Sequence, residues 1–447
     1  MKRKQIAVIG SGISGLSCAW LLARQHQVTL YEKDDRFGGH SNTVDVTEKT
    51  HQEPQALGVD TGFIVFNDRN YPNLVQLFDH LQVPTVDTDM SFSVSLNQGR
   101  LEYAGSNLNS LFAQRGNLVN PRFWSMIRDL LRFYREAEQL ESSLDDQTTL
   151  GELLDAGGYR EPFRNDHLLP MGAAIWSTPA DKMMNYPART FLRFCRNHGL
   201  VQLNDRPQWR TVSGGSRTYV EKLLADIGPG AHSNRAARQV RRRAGKVEVT
   251  DWHGETRHYD DVVLACHADQ SLRLLVDPDP GEQELLSKFK FERNRTLLHS
   301  DPRLMPRRRN AWASWNYLGE LDEQGAQKLC VTYWMNHLQH LSTDQPMLVT
   351  LNPVVEPAAG TVHASFLYDH PLFTPEALSA QSRLWSLQGR RQTWFCGAWF
   401  GYGFHEDGLQ SGLAVAEQLG GVSRPWQLEN PNSRITVTAP PAQAVAA

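Results

Sequence analysis

The chain of 447 residues has five cysteines, Cys18, Cys195, Cys266, Cys330 and Cys396, odd in number, widely spaced and without a Cys-x-x-Cys pair. This excludes a disulfide scaffold, implies no structural metal, and predicts a reducing, cytoplasmic setting. No run reaches the roughly eighteen consecutive apolar residues that a membrane-spanning helix requires. Neither sign of charge is in excess: 46 Lys and Arg against 49 Asp and Glu leave −3, so no global field draws the chain to nucleic acid. Internal repeats are absent too. The opening Met1-Lys2-Arg3-Lys4 and the apolar run after it resemble a secretory signal. That run carries glycines and serines at turn spacing, lacks a small-residue cleavage site and leads straight to an acidic residue on a strand, so the signal reading is rejected.

What is present begins at once. Ile6-Ala7-Val8-Ile9 is a strand, Gly10-Ser11-Gly12-Ile13-Ser14-Gly15 a glycine turn, and Leu16, Ala19, Leu22 and Ala23 mark a helix. Val28-Thr29-Leu30-Tyr31 follows as a second strand ending in Glu32, twenty residues after Gly12. Gly10 permits the turn, Gly12 lets the backbone approach a pyrophosphate, and Gly15 allows the helix to lie close to the sheet. The helix start offers unpaired N–H groups to that anion, and Glu32 is placed to accept from a ribose diol. The pattern predicts a dinucleotide site.

Further along, Lys33 to His40 is a polar turn ending in Gly38-Gly39, and Gly58 to Phe66 reads as a short strand. From Tyr71 to Leu200 the spacing of Leu74, Leu77, Phe78 and Leu81, and of Phe123, Ile127, Leu130 and Tyr134, predicts a mostly helical insert. After Ser213-Gly214-Gly215 come a helix and then short strands around Val240, Val247 and Asp261 to Ala265, with turns at Ala244-Gly245 and Gly254, read as resumption of the sheet. A second insert, from about Leu272 to Gln388, gathers Trp312, Trp315, Tyr317, Tyr333 and Trp334; Gln392 to Gly397 is a last strand, and Gly408 to Leu419 a helix. The expected division is a discontinuous nucleotide domain of residues 1–67, 205–280 and 390–422, a second domain of 68–204 and 281–389, and a loose tail of 423–447.

The order of Gly10 to Gly15, Glu32, Gly38-Gly39, Val59-Asp60-Thr61-Gly62, Ser213-Gly214-Gly215, Asp261 to Ala265 and Phe395-Cys396-Gly397 resembles the flavin-containing amine oxidase and phytoene desaturase superfamily over nearly the whole chain. Leu298-His299-Ser300-Asp301, Ala313 to Tyr317 and Gly403 to Gly408 are similar to a bacterial subgroup labelled as NAD/FAD-binding proteins, related to domains fused to plant cyclopropane fatty acid synthases. The resemblance implies an α/β fold: a Rossmann-like FAD-binding domain of the glutathione-reductase type with an inserted α+β substrate domain. It matches Gly10, Ser11, Gly12, Ile13, Ser14 and Gly15 to the pyrophosphate turn, Glu32 with Lys33 to the adenosine ribose, and Gly38, Gly39 and His40 to the second glycine motif, where relatives carry Arg in place of His40. Val240 matches a strand residue whose backbone meets adenine, and Thr61 and Gly62 a turn against the flavin. Gly397, Ala398, Phe404, His405 and Glu406 belong to the terminal motif, where a helix N-terminus would stabilise charge on the reduced ring by up to about 2 kcal/mol.

Departures from the pattern bear on the chemistry. Phe404 replaces a cage Tyr of amine oxidases and Ala398 an acidic residue. No Cys lies between Val331 and Phe395, so FAD is expected to be non-covalent. No Lys aligns near Asn294, Lys288 and Lys290 falling too early. His405, His299 or water are therefore the candidates for proton handling, each histidine also readable as structural. Arg238 to Arg243 and Arg303 to Arg309 are either solvated faces or contacts to anionic headgroups at a membrane periphery. The expected activity is FAD-dependent hydride abstraction from a hydrophobic substrate, an unsaturated or modified acyl lipid favoured over an amine, with non-redox isomerisation and a non-catalytic lipid-group carrier as alternatives.

Overall fold

The computed structural model describes residues 2–48, 55–145, 147–176, 180–202, 205–243, 245–321 and 327–438. Ala244, half of the expected turn, and residues 439–447 of the expected tail lie outside them. At the centre is a five-stranded parallel sheet in the order Ala231–His232, Gln27–Tyr31, Gln5–Ile9, Asp261–Leu264 and Thr393–Phe395. Its central strands are near-continuous apolar runs because both faces are covered, one by helices and the other by the antiparallel strands Lys246–Asp251 and Thr256–Tyr259. Ile6, Ala7, Val8, Val262, Val263 and Leu264 are fully buried. The helix Ile13–Ala23 packs against both Arg217–Ile227 and the C-terminal helix His405–Gly420.

Of the strands expected around Val240, Val247 and Asp261 to Ala265, Asp261–Leu264 alone joins the parallel sheet. The strands expected alongside it, Ala237–Arg243 and Lys246–Asp251, form a separate antiparallel meander with Thr256–Tyr259. The first insert is less helical than its spacing predicts. Phe92-Ser93-Val94-Ser95-Leu96 alternates with period two, and Phe92–Leu96 and Leu101–Ala104 are strands. Phe92–Leu96 pairs in parallel with Trp315–Leu321, which joins the two inserts in one seven-stranded sheet running from Val362–Leu372 at one edge to Leu101–Ala104 at the other.

The core beneath the parallel sheet reaches past the expected boundaries. It takes in Tyr71, Leu74, Leu77 and Phe78 from the first insert, and Leu285, Leu286, Phe289, Leu384 and Trp385 from the second. Residues 423–438 are not a loose tail. Trp426 stacks on Trp20 at 6.2 Å, and Arg424 and Arg434 are buried in ion pairs with Glu417 and Asp407.

Candidate active site

A cleft of about 750 Å³ opens at the carboxyl ends of the parallel strands and runs to the inserted sheet. At its nucleotide end lies the glycine turn. A Cβ on Gly12 would meet no atom within 4 Å, so the space in front of this residue is open, as a pyrophosphate requires. A Cβ on Gly15 would stand 1.8 Å from Gly10 O, so this glycine serves the turn itself. Gly10, Ser11, Gly12, Ile13 and Ser14 line the cleft; Gly15 and Gly38 lie behind it, Gly38 N–H donating to Ser11 O at 3.1 Å.

Glu32 is buried at the end of its strand. Its Oε2 accepts from Ser11 N–H at 3.0 Å and Ser11 Oγ–H at 2.6 Å, and Oε1 accepts from Asp34 N–H at 2.9 Å. Oε1 keeps a lone pair for a ribose hydroxyl. Lys33 is exposed at the rim and pairs with Asp34.

Two sites matched by resemblance move. Val240 is fully buried, its carbonyl accepting from Val276 N–H at 3.0 Å, and it does not line the cleft. Ala236, Ala237 and Arg238 line it instead. His40 does reach the cleft, but burial, together with His370, His267, His405 and Arg36, holds its imidazole well below the usual range. A neutral His40 cannot act as the cation that Arg supplies in relatives. Arg36, which also lines the cleft and donates to Gly39 O at 2.8 Å, is a cation the sequence reading missed; its only signal was its place three residues before Gly39.

Deeper in, His40 stacks on Tyr368 at 4.8 Å, and its buried Nε2 has no partner among the described residues. Thr61, Gly62, Gly397, Ala398, Phe404 and His405 line the same region. Thr61 Oγ1 lies 2.8 Å from the Tyr368 hydroxyl. His405 Nε2 lies 2.7 Å from the Tyr219 hydroxyl and 3.2 Å from Ser41 Oγ, with its ring stacked on Phe63 at 3.8 Å. Burial pushes its imidazole down to about 3, so His405 is neutral across the physiological range.

The remaining candidates are structural. Glu406 is buried outside the cleft, accepting from Asn73 and Leu74 N–H and from the Asn73 and Gln410 side chains, which pins the helix Pro72–Leu81 to the C-terminal helix. His299 sits within the inserted sheet, away from the cleft. Its Nδ1 accepts from Asp301 N–H at 3.1 Å, so its Nε2–H donates to Thr350 Oγ1 at 2.7 Å. With both nitrogens occupied and no place among the residues that line the cleft, it reads as a structural histidine.

Open space in front of Gly12, a Glu32 oxygen with a lone pair to spare, a buried His40 nitrogen without a partner among the described residues and a cleft continuing beyond them leave room for an extended dinucleotide, and the class they fit is a flavin-binding oxidoreductase. Residues 13–297 match the family described as flavin containing amine oxidoreductase, and the chain belongs to it. FAD is accordingly its cofactor. Solved structures share the fold at low identity. A CLA-producing fatty acid isomerase from P. acnes aligns with TM-score 0.64 and 15% identity over 93% of this chain and 98% of its own. Putrescine oxidase bound to putrescine aligns with TM-score 0.65 and 14% identity over 94% and 99%. Cyclohexylamine oxidase from Brevibacterium oxydans aligns with TM-score 0.63 and 13% identity over 94% and 100%.

Proposed function

We propose that this FAD-dependent oxidoreductase acts on a hydrophobic substrate, an unsaturated or modified acyl lipid. The observation that carries the reading is the far end of the cleft, walled by Ile175, Trp176, Phe194, Leu200, Trp315 and Tyr333. Among the described lining residues the acids are Glu32, Asp34 and Asp369. The first two belong to the nucleotide end, and Asp369 is held by Arg293 at 2.9 Å. A substrate ammonium would find no free carboxylate there, whereas an acyl chain needs only the apolar wall.

FAD bound in this cleft supplies a hydride acceptor. The glycine turn, Glu32 and Arg36 would hold its nucleotide half, and Thr61, Gly62, Gly397 and Ala398 would lie on the side of its ring. His198 at the apolar end is, like His405, neutral, burial pushing it down to about 3. His405 thus acts by position, tying Tyr219 and Ser41 to the start of the C-terminal helix. A lining without charge at this end suits an uncharged chain. The fold is one that a fatty acid isomerase also uses.

Anaerobic mixing tests the reading, with flavin absorbance as readout. Phospholipids carrying monounsaturated or methyl-branched acyl chains are expected to bleach the flavin, and putrescine and cyclohexylamine to leave it oxidised. Bleaching by the amines with none by any lipid would replace the proposal by amine oxidation.

A further inference from the structure

The first insert carries a surface that the cleft does not use. Between Tyr103 and Arg128 the chain has no acidic residue and three arginines, and between Pro302 and Gly319 again no acid and four arginines. The structure brings these two stretches together. The short helix Leu108–Leu111 abuts Arg309–Ala311, and Arg308 reaches across to Gly99 O at 3.1 Å and to buried Glu102 at 2.8 Å.

On this face stand the apolar side chains Leu108, Leu118, Val119 and Trp124, exposed at 74%, 50%, 84% and 47%. They are held in place: Trp124 Nε1–H donates to Leu118 O at 2.9 Å, and the Trp124 and Phe112 rings are 5.8 Å apart. Around them lie exposed arginines without acidic partners among the described residues. Arg115 donates to neutral Asn109 at 2.6 Å, Arg309 lies over the Trp312 ring at 3.6 Å, and Arg307 makes no ion pair with a described residue. The acids that border the face, Glu161 and Asp166, are both held by Arg122. In the other basic run Arg242 is buried against Glu282 and Asp277, and Arg243 lies 3.9 Å from Glu248.

We propose that this face docks the protein on an anionic lipid bilayer, Leu108, Leu118, Val119 and Trp124 entering the headgroup boundary and Arg115, Arg307 and Arg309 meeting lipid phosphates. Aliphatic tips rimmed by one sign of charge are the composition of an interfacial membrane contact. A protein partner would instead engage a packed aromatic centre with charge of both signs arranged against it. Behind the face, Leu111, Phe112 and Ile127 pack in one apolar cluster with Tyr333, which lines the cleft, so the docked face and the cleft wall share a core. The proposal rests on this surface and not on the substrate proposed above.

The test is sedimentation of the FAD-loaded full chain with vesicles of phosphatidylglycerol and phosphatidylcholine, against phosphatidylcholine alone. Binding to the anionic vesicles is expected, weakening as salt screens the arginines. Leu118→Asp with Val119→Asp, and separately Arg307→Glu with Arg309→Glu, are expected to lower partitioning about tenfold or more. Val362→Asp, on the opposite edge of the inserted sheet, serves as control and is expected to change nothing. Unaltered flavin absorbance and melting temperature identify each loss as a surface effect. No binding by the unmodified protein, or binding that both pairs of changes leave intact, overturns the proposal. Self-association abolished by Val119→Asp without any vesicle binding overturns it in favour of a protein partner.

Discussion

Ser11 Oγ donates to Glu32 Oε2 at 2.6 Å, which ties the glycine turn to the end of the neighbouring strand. The same hydroxyl accepts from Gly38 N–H at 3.2 Å, so one side chain links three segments of the nucleotide site. Ser11→Ala removes a charge-assisted bond worth about 1.5–3 kcal/mol. FAD affinity, measured by flavin release on dilution, is expected to fall by roughly tenfold or more, with a comparable loss for Glu32→Gln. Unchanged affinity in both variants would remove Glu32 from the ribose contact.

Two neighbouring glycines are expected to fail differently. Gly12 has φ −64° and ψ 176°, accessible to any residue, and open space where a Cβ would go. Gly12→Val should therefore fold, melt without flavin within about 0.5 kcal/mol of the parent, and fail to retain FAD. Gly15→Ala places a carbon 1.8 Å from Gly10 O and is expected to destabilise the apoprotein by about 3 kcal/mol. A yellow, fully loaded Gly12→Val protein would refute the pyrophosphate assignment.

These glycines were legible because their roles are local: turn, approach and helix packing all fall within one short stretch. Val240 shows where that legibility ends. The strand was correctly found, but the ladder is irregular between Ala237 and Gln239, and it is Ala236 to Arg238 that reach the cleft. His299 looked catalytic beside Asp301, yet only pairing with a strand some fifty residues away, through Thr350, reveals it as an interior residue. The seven-stranded sheet was hidden for the same reason, since its joint at Phe92 and Trp315 is a contact between distant segments. Arg434 belongs to no local pattern at all, and Arg36 is marked only by its place three residues before Gly39.

Flavin attachment is expected to be non-covalent. Cys396 is buried outside the cleft, and Cys266, which does line it, has a thiol that burial pushes up to about 12. A thiol so reluctant to ionise is a poor nucleophile. Acid precipitation should leave the colour in the supernatant; a yellow pellet would contradict this.

Acid sensitivity should begin well above the carboxylate range. Burial holds His405 and His198 down to about 3, His167, His299 and His370 to about 4, and His40 well below its ordinary value. Above about 6.5 both folded and unfolded chains keep these rings neutral. Below it the unfolded chain gains protons that the folded chain refuses, so stability falls by up to about 1.4 kcal/mol per pH unit for each histidine until its folded value is reached. Urea midpoints are expected to be flat from pH 8 to 7 and to drop steeply from 6.5 to 5. Equal midpoints at pH 7 and 5 would show that these rings are not buried as neutral species.

The C-terminal segment should prove as necessary as the glycine turn. Arg434 Nε lies 2.8 Å from Asp407 Oδ1, both side chains are buried, and the guanidinium also donates to Asn70 O at 3.0 Å. Asp407 in turn accepts from Phe404 N–H at 2.7 Å and so sets the start of the helix that borders the cleft. Breaking a buried pair from one side leaves an uncompensated charge and costs about 3–5 kcal/mol. Arg434→Ala is expected to lower stability by that amount, and Asp407→Asn in the same background to recover part of it, because an amide carries no charge to bury. The guanidinium stands 5.4 Å from the Tyr402 ring and 6.0 Å from Phe404, both of which line the cleft. Where Arg434→Ala folds at low temperature, KM should therefore rise more than kcat falls, since the wall is loosened while the ring-bordering residues stay in place. Truncation after residue 422 removes Arg424 and Trp426 as well and is expected to prevent folding. A truncated protein with parental melting temperature and full flavin would show that the segment is dispensable.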